Sequence, residues 1–208
     1  IEVQGNIGYA LTAGHCIPGG NGTIYQGNNH NNPVATYTVI DREAHPDYDI
    51  SDAYDFGMVT FTGANGSTPV IPALQPGQDN INVGTQLDLV GYGQTESGGT
   101  SVRHHKVMPV DDASPLLLRF DQSTGGICSG DSGGGALHSA GGTKVAGVHS
   151  FGTQGNCAGF GFSVRVSAVY DTFIRPYIDG TPYQPQTCDQ CLDAHAQLGL
   201  CGGALQAC

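Results

Sequence analysis

One serine is set among glycines in Gly130-Asp131-Ser132-Gly133-Gly134. A serine hydroxyl is a weak nucleophile. It needs a general base, and backbone N–H donors aimed at the oxyanion that forms when it attacks a carbonyl. Flanking glycines let the main chain run close to such a carbonyl and turn its N–H groups toward it. Upstream, Leu11-Thr12-Ala13-Gly14-His15-Cys16 ends an apolar run on a histidine, a candidate base. Between the two lies Tyr54-Asp55-Phe56-Gly57-Met58-Val59, with an aspartate at the head of an apolar run. His, Asp, Ser is one of the chain orders in which such a set occurs. Asp47, Asp49 and Asp52 compete with Asp55, but they sit in a polar, turn-like stretch, whereas Asp55 directly precedes the strand-like Phe56–Phe61.

These residues need a scaffold, and the composition narrows it. The chain has 208 residues, with 33 Gly and 11 Pro, so about a fifth of it favours turns over helix interiors. Apolar residues make up 38%, enough for a core. Short β-like runs recur at Tyr9–Thr12, Val34–Ile40, Gly57–Thr62, Gln86–Val90, Leu116–Phe120, Lys144–His149 and Gly161–Val166, separated by Gly- and Pro-rich turns. That spacing predicts an all-β sandwich or barrel. One helix is expected over Ser167–Ile174, ended by Pro176. A formal charge of −11, from 7 basic and 18 acidic residues, argues against nucleic-acid binding, which needs clustered Lys and Arg. No run approaches the ~20 apolar residues of a membrane span.

Taken together, the His15, Asp55 and Gly130–Gly134 segments resemble the chymotrypsin/trypsin family of serine endopeptidases, over roughly residues 1–178. The resemblance implies two six-stranded antiparallel β-barrels with a C-terminal helix and a catalytic cleft between the barrels. It implies Ser132 as nucleophile, His15 as base and then acid, and Asp55 as the group that orients the imidazole. The N–H groups of Gly130 and Ser132 would form the oxyanion hole. Cys128 and Cys157 match a disulfide that ties the nucleophile loop to the pocket loop. Ser150, Phe151 and Gly152 match the segment that pairs with an extended substrate as an added strand, with Ser150 beside Asp55. Phe151 stands where the family usually has Trp. The implied partner is a polypeptide substrate bound by a secreted monomer, with no cofactor and no metal. The alternative class is a catalytically silent homologue that binds a partner through the same cleft.

In that resemblance the primary pocket is floored by Gly126 and walled by Gly152 and Gly161. With no aspartate at Gly126, a Lys/Arg preference at P1 is not expected, and an open pocket suits a bulky apolar side chain. His149 and Ser129 resemble instead the glutamyl endopeptidases, in which imidazole and hydroxyl bond a substrate carboxylate. A neutral histidine packed against the pocket wall is the duller reading. The remaining histidines, His30, His45, His104, His105 and His138, are expected to be solvated.

The resemblance breaks before His15. Only 14 residues precede it, so the usual first strand is expected to be missing and Cys16 to have its partner upstream. In the family a buried ammonium pairs with the position of Asp131, so either a segment upstream of Ile1 is expected, which is the preferred reading, or Asp131 takes a different cation or donor. Residues 179–187 read as a linker. Residues 188–208 carry Cys188, Cys191, Cys201 and Cys208, with His195 among them. This set could ligate zinc, but a two-disulfide staple is the preferred reading. The acidic stretch Asp41–Asp55 is a candidate for calcium at most. Asn21-Gly22-Thr23 and Asn65-Gly66-Ser67 fit the glycosylation pattern, which a Gly/Asn-rich chain matches readily by chance.

Overall fold

The structure, a computed structural model, describes residues 1–18, 22–95, 98 and 100–183. The cysteine-rich segment with Cys188, Cys191, His195, Cys201 and Cys208 lies outside the described residues.

Alternating apolar and polar residues with glycine turns give short antiparallel strands, which form two curled, barrel-like sheets. The first contains β1 (Glu2–Gln4), β2 (Ile7–Thr12), β3 (Thr23–Gln26), β4 (Ala35–Ala44) and β5 (Gly57–Thr62), in the order β1-β2-β5-β4-β3. The second contains β6 (Gln86–Gly91), β7 (His104–Pro109), β8 (Asp112–Ala113), β9 (Leu117–Asp121), β10 (Gly135–His138), β11 (Lys144–Gly152) and β12 (Phe160–Arg165), in the order β7-β6-β10-β11-β12-β9-β8. The expected all-β, two-barrel architecture is therefore present. Its described strands divide five and seven, because the two-residue β8 adds itself to the edge of β9.

The strands missed in the sequence are short or polar. Glu2–Gln4 forms a hairpin with Ile7–Tyr9, and His104–Pro109 pairs with β6 along an exposed edge where no apolar alternation is required. The C-terminal helix begins where it was expected but continues past Pro176. A 3-10 turn over Val166–Val169 and a wide turn over Tyr170–Ile174 lead into α1 (Arg175–Asp179). Proline in a first helical turn needs no N–H, so Pro176 starts α1, and Gly180, at φ 65°, stops it.

Three apolar clusters hold these parts. The second sheet encloses Leu74, Leu87, Leu118, Phe120 and Ile127, among others. The first sheet's own cluster buries Tyr37, Phe61 and Ala64. The largest cluster is the joint, where Phe56 and Met58 of the first half meet Val148 and Val164 of the second and Phe173 and Ile174 of the helical segment. Each such side chain, fully buried, stabilises by about 1.5–3 kcal/mol. Polar ties reinforce the return of α1 to the first sheet: Tyr177 donates to Asp41 at 2.8 Å and accepts from Thr60 at 2.9 Å, and Arg175 donates to Glu2 at 2.9 Å. Inside the second half, Arg165 grips Asp79 with two bonds of 2.6 and 2.7 Å. Burial alone would raise the Asp79 pKa. Hydrogen bonds from Arg165, Ser167 and the Ile81 N–H, together with the Arg165 charge, hold it below its usual value.

Two histidines expected in solvent are buried. His45 is wedged among Tyr54, Phe56, Phe173 and Tyr183, accepts from the Asp47 N–H, and is pushed down to about pKa 4 by burial. His138 points inward from β10, where its Nε2 meets Asn80 at 3.1 Å. Neither position carries a sequence signal that sets it apart from exposed His30, His104 and His105. Tyr183, beyond α1, donates to Asp47 at 2.8 Å.

Candidate active site

The first sheet delivers an imidazole and a carboxylate. β2 ends at Thr12, and the chain tightens into a 3-10 turn over Gly14–Cys16 that carries His15. Asp55 caps the short helix Asp52–Tyr54 just before β5 and is buried, at 2% exposure. Its Oδ1 accepts from the His15 N–H at 2.8 Å and its Oδ2 lies 2.7 Å from His15 Nδ1. The Ser150 hydroxyl donates to the same Oδ2. Gly14 is required here: a Cβ would lie 2.9 Å from the Phe56 carbonyl and 3.2 Å from Asp55 Oδ1. The rival aspartates are elsewhere. Asp49 and Asp52 are exposed, and Asp47 is bound to Tyr183.

The second sheet delivers the serine. The loop over residues 128–134 folds on itself: Asp131 N–H donates to the Cys128 carbonyl, Gly134 N–H to that of Asp131, and Gly133 N–H to that of His149. Among the described residues, neither Gly130 nor Ser132 donates its N–H to a hydrogen bond. Ser132 is exposed at the crest of the loop. Gly130 and Gly133 have φ of 91° and 80°, a region costly for other residues. A Cβ on Gly133 would lie 2.3 Å from Thr12 Oγ1, so this loop packs directly on the end of β2, beside His15.

Asp131 is held by two backbone amides, Gly93 N–H at 2.7 Å and Cys128 N–H at 2.9 Å. The Ile1 amino group bonds the Tyr9 carbonyl at 2.8 Å instead. Both donors to Asp131 are main-chain groups, and they need glycine at Gly91 and Gly93. A Cβ there would come within 1.9 and 2.5 Å of the Asp131 carboxyl group. The Cys128–Cys157 disulfide is formed, and Cys16 is a free thiol among the described residues.

Beside Ser132 opens a cavity of about 220 Å³, lined by Ser129, Cys128, Asp131, His149, Ser150, Phe151, Gly152 and Cys157, and also by Gln122 and Ile127. A β-bulge in β11 falls at Ser150, between His149 and Phe151. Such an extra residue re-aims a side chain, and here the Ser150 hydroxyl reaches Asp55 across the cleft. Phe151 stacks on its cross-strand partner Phe162 at 4.7 Å. His149 is 1% exposed and its Nδ1 lies 2.9 Å from Ser163 Oγ across the same strand pair. Burial pushes its pKa down to about 4, with the Val90 carbonyl working the other way, so the ring is neutral. Gly126 lines a neighbouring cavity of about 550 Å³, and Gly161 faces the Gln122 amide. Gln122 has no motif around it, and nothing in the sequence distinguished it.

Between the two barrel-like halves the structure brings together a buried carboxylate bonded to an imidazole and an exposed serine on a glycine loop that packs on the end of β2. The Trypsin family model matches residues 4–174, and the chain belongs to the trypsin family. That membership supports a serine peptidase in general. Among solved structures, a chain described as HBP, determined at atomic resolution, superposes with a TM-score of 0.69 at 19% identity, over 88% of this chain and 86% of that one, which shows the shared fold. No curated protein matches the chain.

Proposed function

We propose that the protein is a secreted serine endopeptidase that cleaves polypeptides through an acyl-enzyme. The observation that carries this is the buried Asp55 carboxylate, 2.7 Å from His15 Nδ1, with Ser132 on the loop packed against the same strand end. Asp55 holds the proton on Nδ1 and leaves Nε2 free to accept the Ser132 proton as Oγ attacks the scissile carbonyl. The Gly130 and Ser132 N–H groups stabilise the tetrahedral oxyanion, each donor contributing roughly 10²–10³ in turnover. His15 then hands the proton to the leaving amine, and a water repeats the sequence on the acyl-serine. The substrate runs extended along Ser150–Gly152 as an added strand.

The P1 side chain carries no positive charge, because Gly126, which the resemblance sets at the pocket floor and which lines the adjoining cavity, supplies no carboxylate to pair with one. Of the acidic and bulky apolar classes expected from the sequence, the neutral burial of His149 favours an uncharged side chain. A charge-assisted bond to a carboxylate needs imidazolium, which this environment opposes. The test is cleavage of unstructured polypeptide by the parent and by Ser132→Ala. Cleavage lost in the variant, with its fold intact, supports the assignment, whereas equal activity in both refutes it.

A further inference from the structure

Gln122 follows directly on the end of β9 and turns its side chain inward, leaving it 2% exposed. Its Nε2 donates to the Ile127 carbonyl at 2.6 Å and the Cys157 carbonyl at 3.2 Å. Two carbonyl acceptors fix the orientation of the amide, since exchanging its ends would set oxygen against oxygen. The Oε1 atom is consequently directed away from them. It is buried and finds no hydrogen-bond partner among the described residues.

The position of that oxygen is the informative part. A Cβ on Gly161 would lie 1.8 Å from Oε1, and a Cβ on Gly126 would lie 2.7 Å from Cγ and 2.8 Å from Cδ of Gln122. The Gln122 side chain therefore occupies the space that the two pocket glycines leave empty. Gln122 and Ile127 line both the cavity beside Ser132 and the larger neighbouring one, onto which Gly126 opens. The wall shared by the two cavities, where they approach Gly126 and Gly161, thus includes an amide side chain.

We propose that Gln122 is the specificity-determining floor of the primary pocket and selects a P1 side chain that ends in a neutral primary amide, glutamine or asparagine. The proposal rests on the endopeptidase reading and narrows it. A buried acceptor without a partner costs about 1–3 kcal/mol, which a substrate N–H offsets. A glutamate of the same shape instead presents an anion to a carbonyl-type oxygen. Lysine and arginine would bring a cation to a floor without a counter-charge. On its far side, Lys106 already donates to the Gly125 carbonyl at 2.9 Å and to Thr124 Oγ1 at 3.2 Å, in the segment leading to Gly126. Large aromatic side chains meet the Gln122 amide before they are fully inserted.

The experiment uses the full chain and one quenched peptide with P1 set in turn to Gln, Glu, Leu, Phe and Lys, alongside labelling by a serine-directed fluorophosphonate. The parent is expected to show a kcat/KM for P1 Gln at least roughly tenfold above P1 Glu. In Gln122→Met, which keeps the length and removes the acceptor, labelling is retained, P1 Leu gains on P1 Gln, and the advantage of Gln over Leu disappears. A parent that prefers Glu, Leu, Phe or Lys, or a Gln122→Met profile identical to the parent's, overturns the proposal. If Gln122→Met fails to fold, the parent's Gln-to-Glu ratio alone decides. A parent that neither labels nor cleaves any peptide refutes the endopeptidase reading itself, a result distinct from a labelled enzyme with the wrong P1 preference.

Discussion

The two halves of this molecule hold their functional carboxylates in opposite ways. Asp55, in the first half, is bound by side chains from both halves: the His15 ring beside it and the Ser150 hydroxyl from across the cleft. Asp131, in the second half, is bound among the described residues by main-chain amides of its own half, those of Gly93 and Cys128. The cores follow the same division. The second sheet encloses a cluster of its own around Leu118 and Phe120, whereas the first buries little beyond Tyr37 and Phe61 and leans on the joint at Phe56 and Met58. The second half is a self-contained frame for the serine loop and pocket. The first holds its own imidazole–carboxylate pair and receives one further contact, from Ser150, across the cleft.

Substitutions that sharpen this contrast differ in size and kind. Asp55→Asn should lower kcat by about 10⁴, because the imidazole loses the tautomer that accepts the serine proton. The melting temperature should move far less than the activity, and a collapse of the fold would show that Asp55 is mainly structural.

Asp79→Asn strikes the frame of the second half. It leaves Arg165 without its carboxylate and should cost about 3–5 kcal/mol of stability, read by chemical denaturation. The folded variant should still react with a fluorophosphonate at low temperature. Because Asp79 titrates below its unfolded value, its contribution is complete above the ordinary carboxylate range and is lost as pH falls through the lowered value. The gap in stability between parent and variant should therefore be full at neutral pH and shrink below about pH 4. A gap that widened in acid would contradict the assignment.

Phe120→Ala, in the closed core, should cost about 3–5 kcal/mol, and Phe61→Ala, in the thin first-half cluster, distinctly less. Equal losses in parallel denaturation curves would erase the asymmetry. Ser150→Ala is the mildest change. Removal of one hydroxyl from the Asp55 carboxylate should reduce kcat/KM roughly tenfold with unchanged stability.

Much of the site was legible because its chemistry needs particular residues at the ends of recognisable runs. Asp55 stands at the head of β5, His15 just past the end of β2, and Ser132 among glycines whose positive φ the loop requires. The Cys128–Cys157 bridge and the Ser150 contact were legible through the family resemblance. What could not be read depends on contacts remote in sequence. His45 is buried because Phe173 and Tyr183 fold over it, and Pro176 falls in the first turn of α1, where its missing N–H is tolerated. Gly126 and Gly161 read as an open pocket, and only the fold brings Gln122 into the space they leave. Edge strand β7 opens on three polar residues, His104-His105-Lys106, and its apolar residues do not alternate.

The most direct test of the catalytic assignment is intact-mass analysis after treatment of the folded full chain with a serine-directed fluorophosphonate. The expected result is one adduct per molecule, mapped to Ser132, absent in Ser132→Ala and greatly slowed in His15→Ala. A folded parent that takes no adduct, or one whose adduct persists in Ser132→Ala, would contradict it.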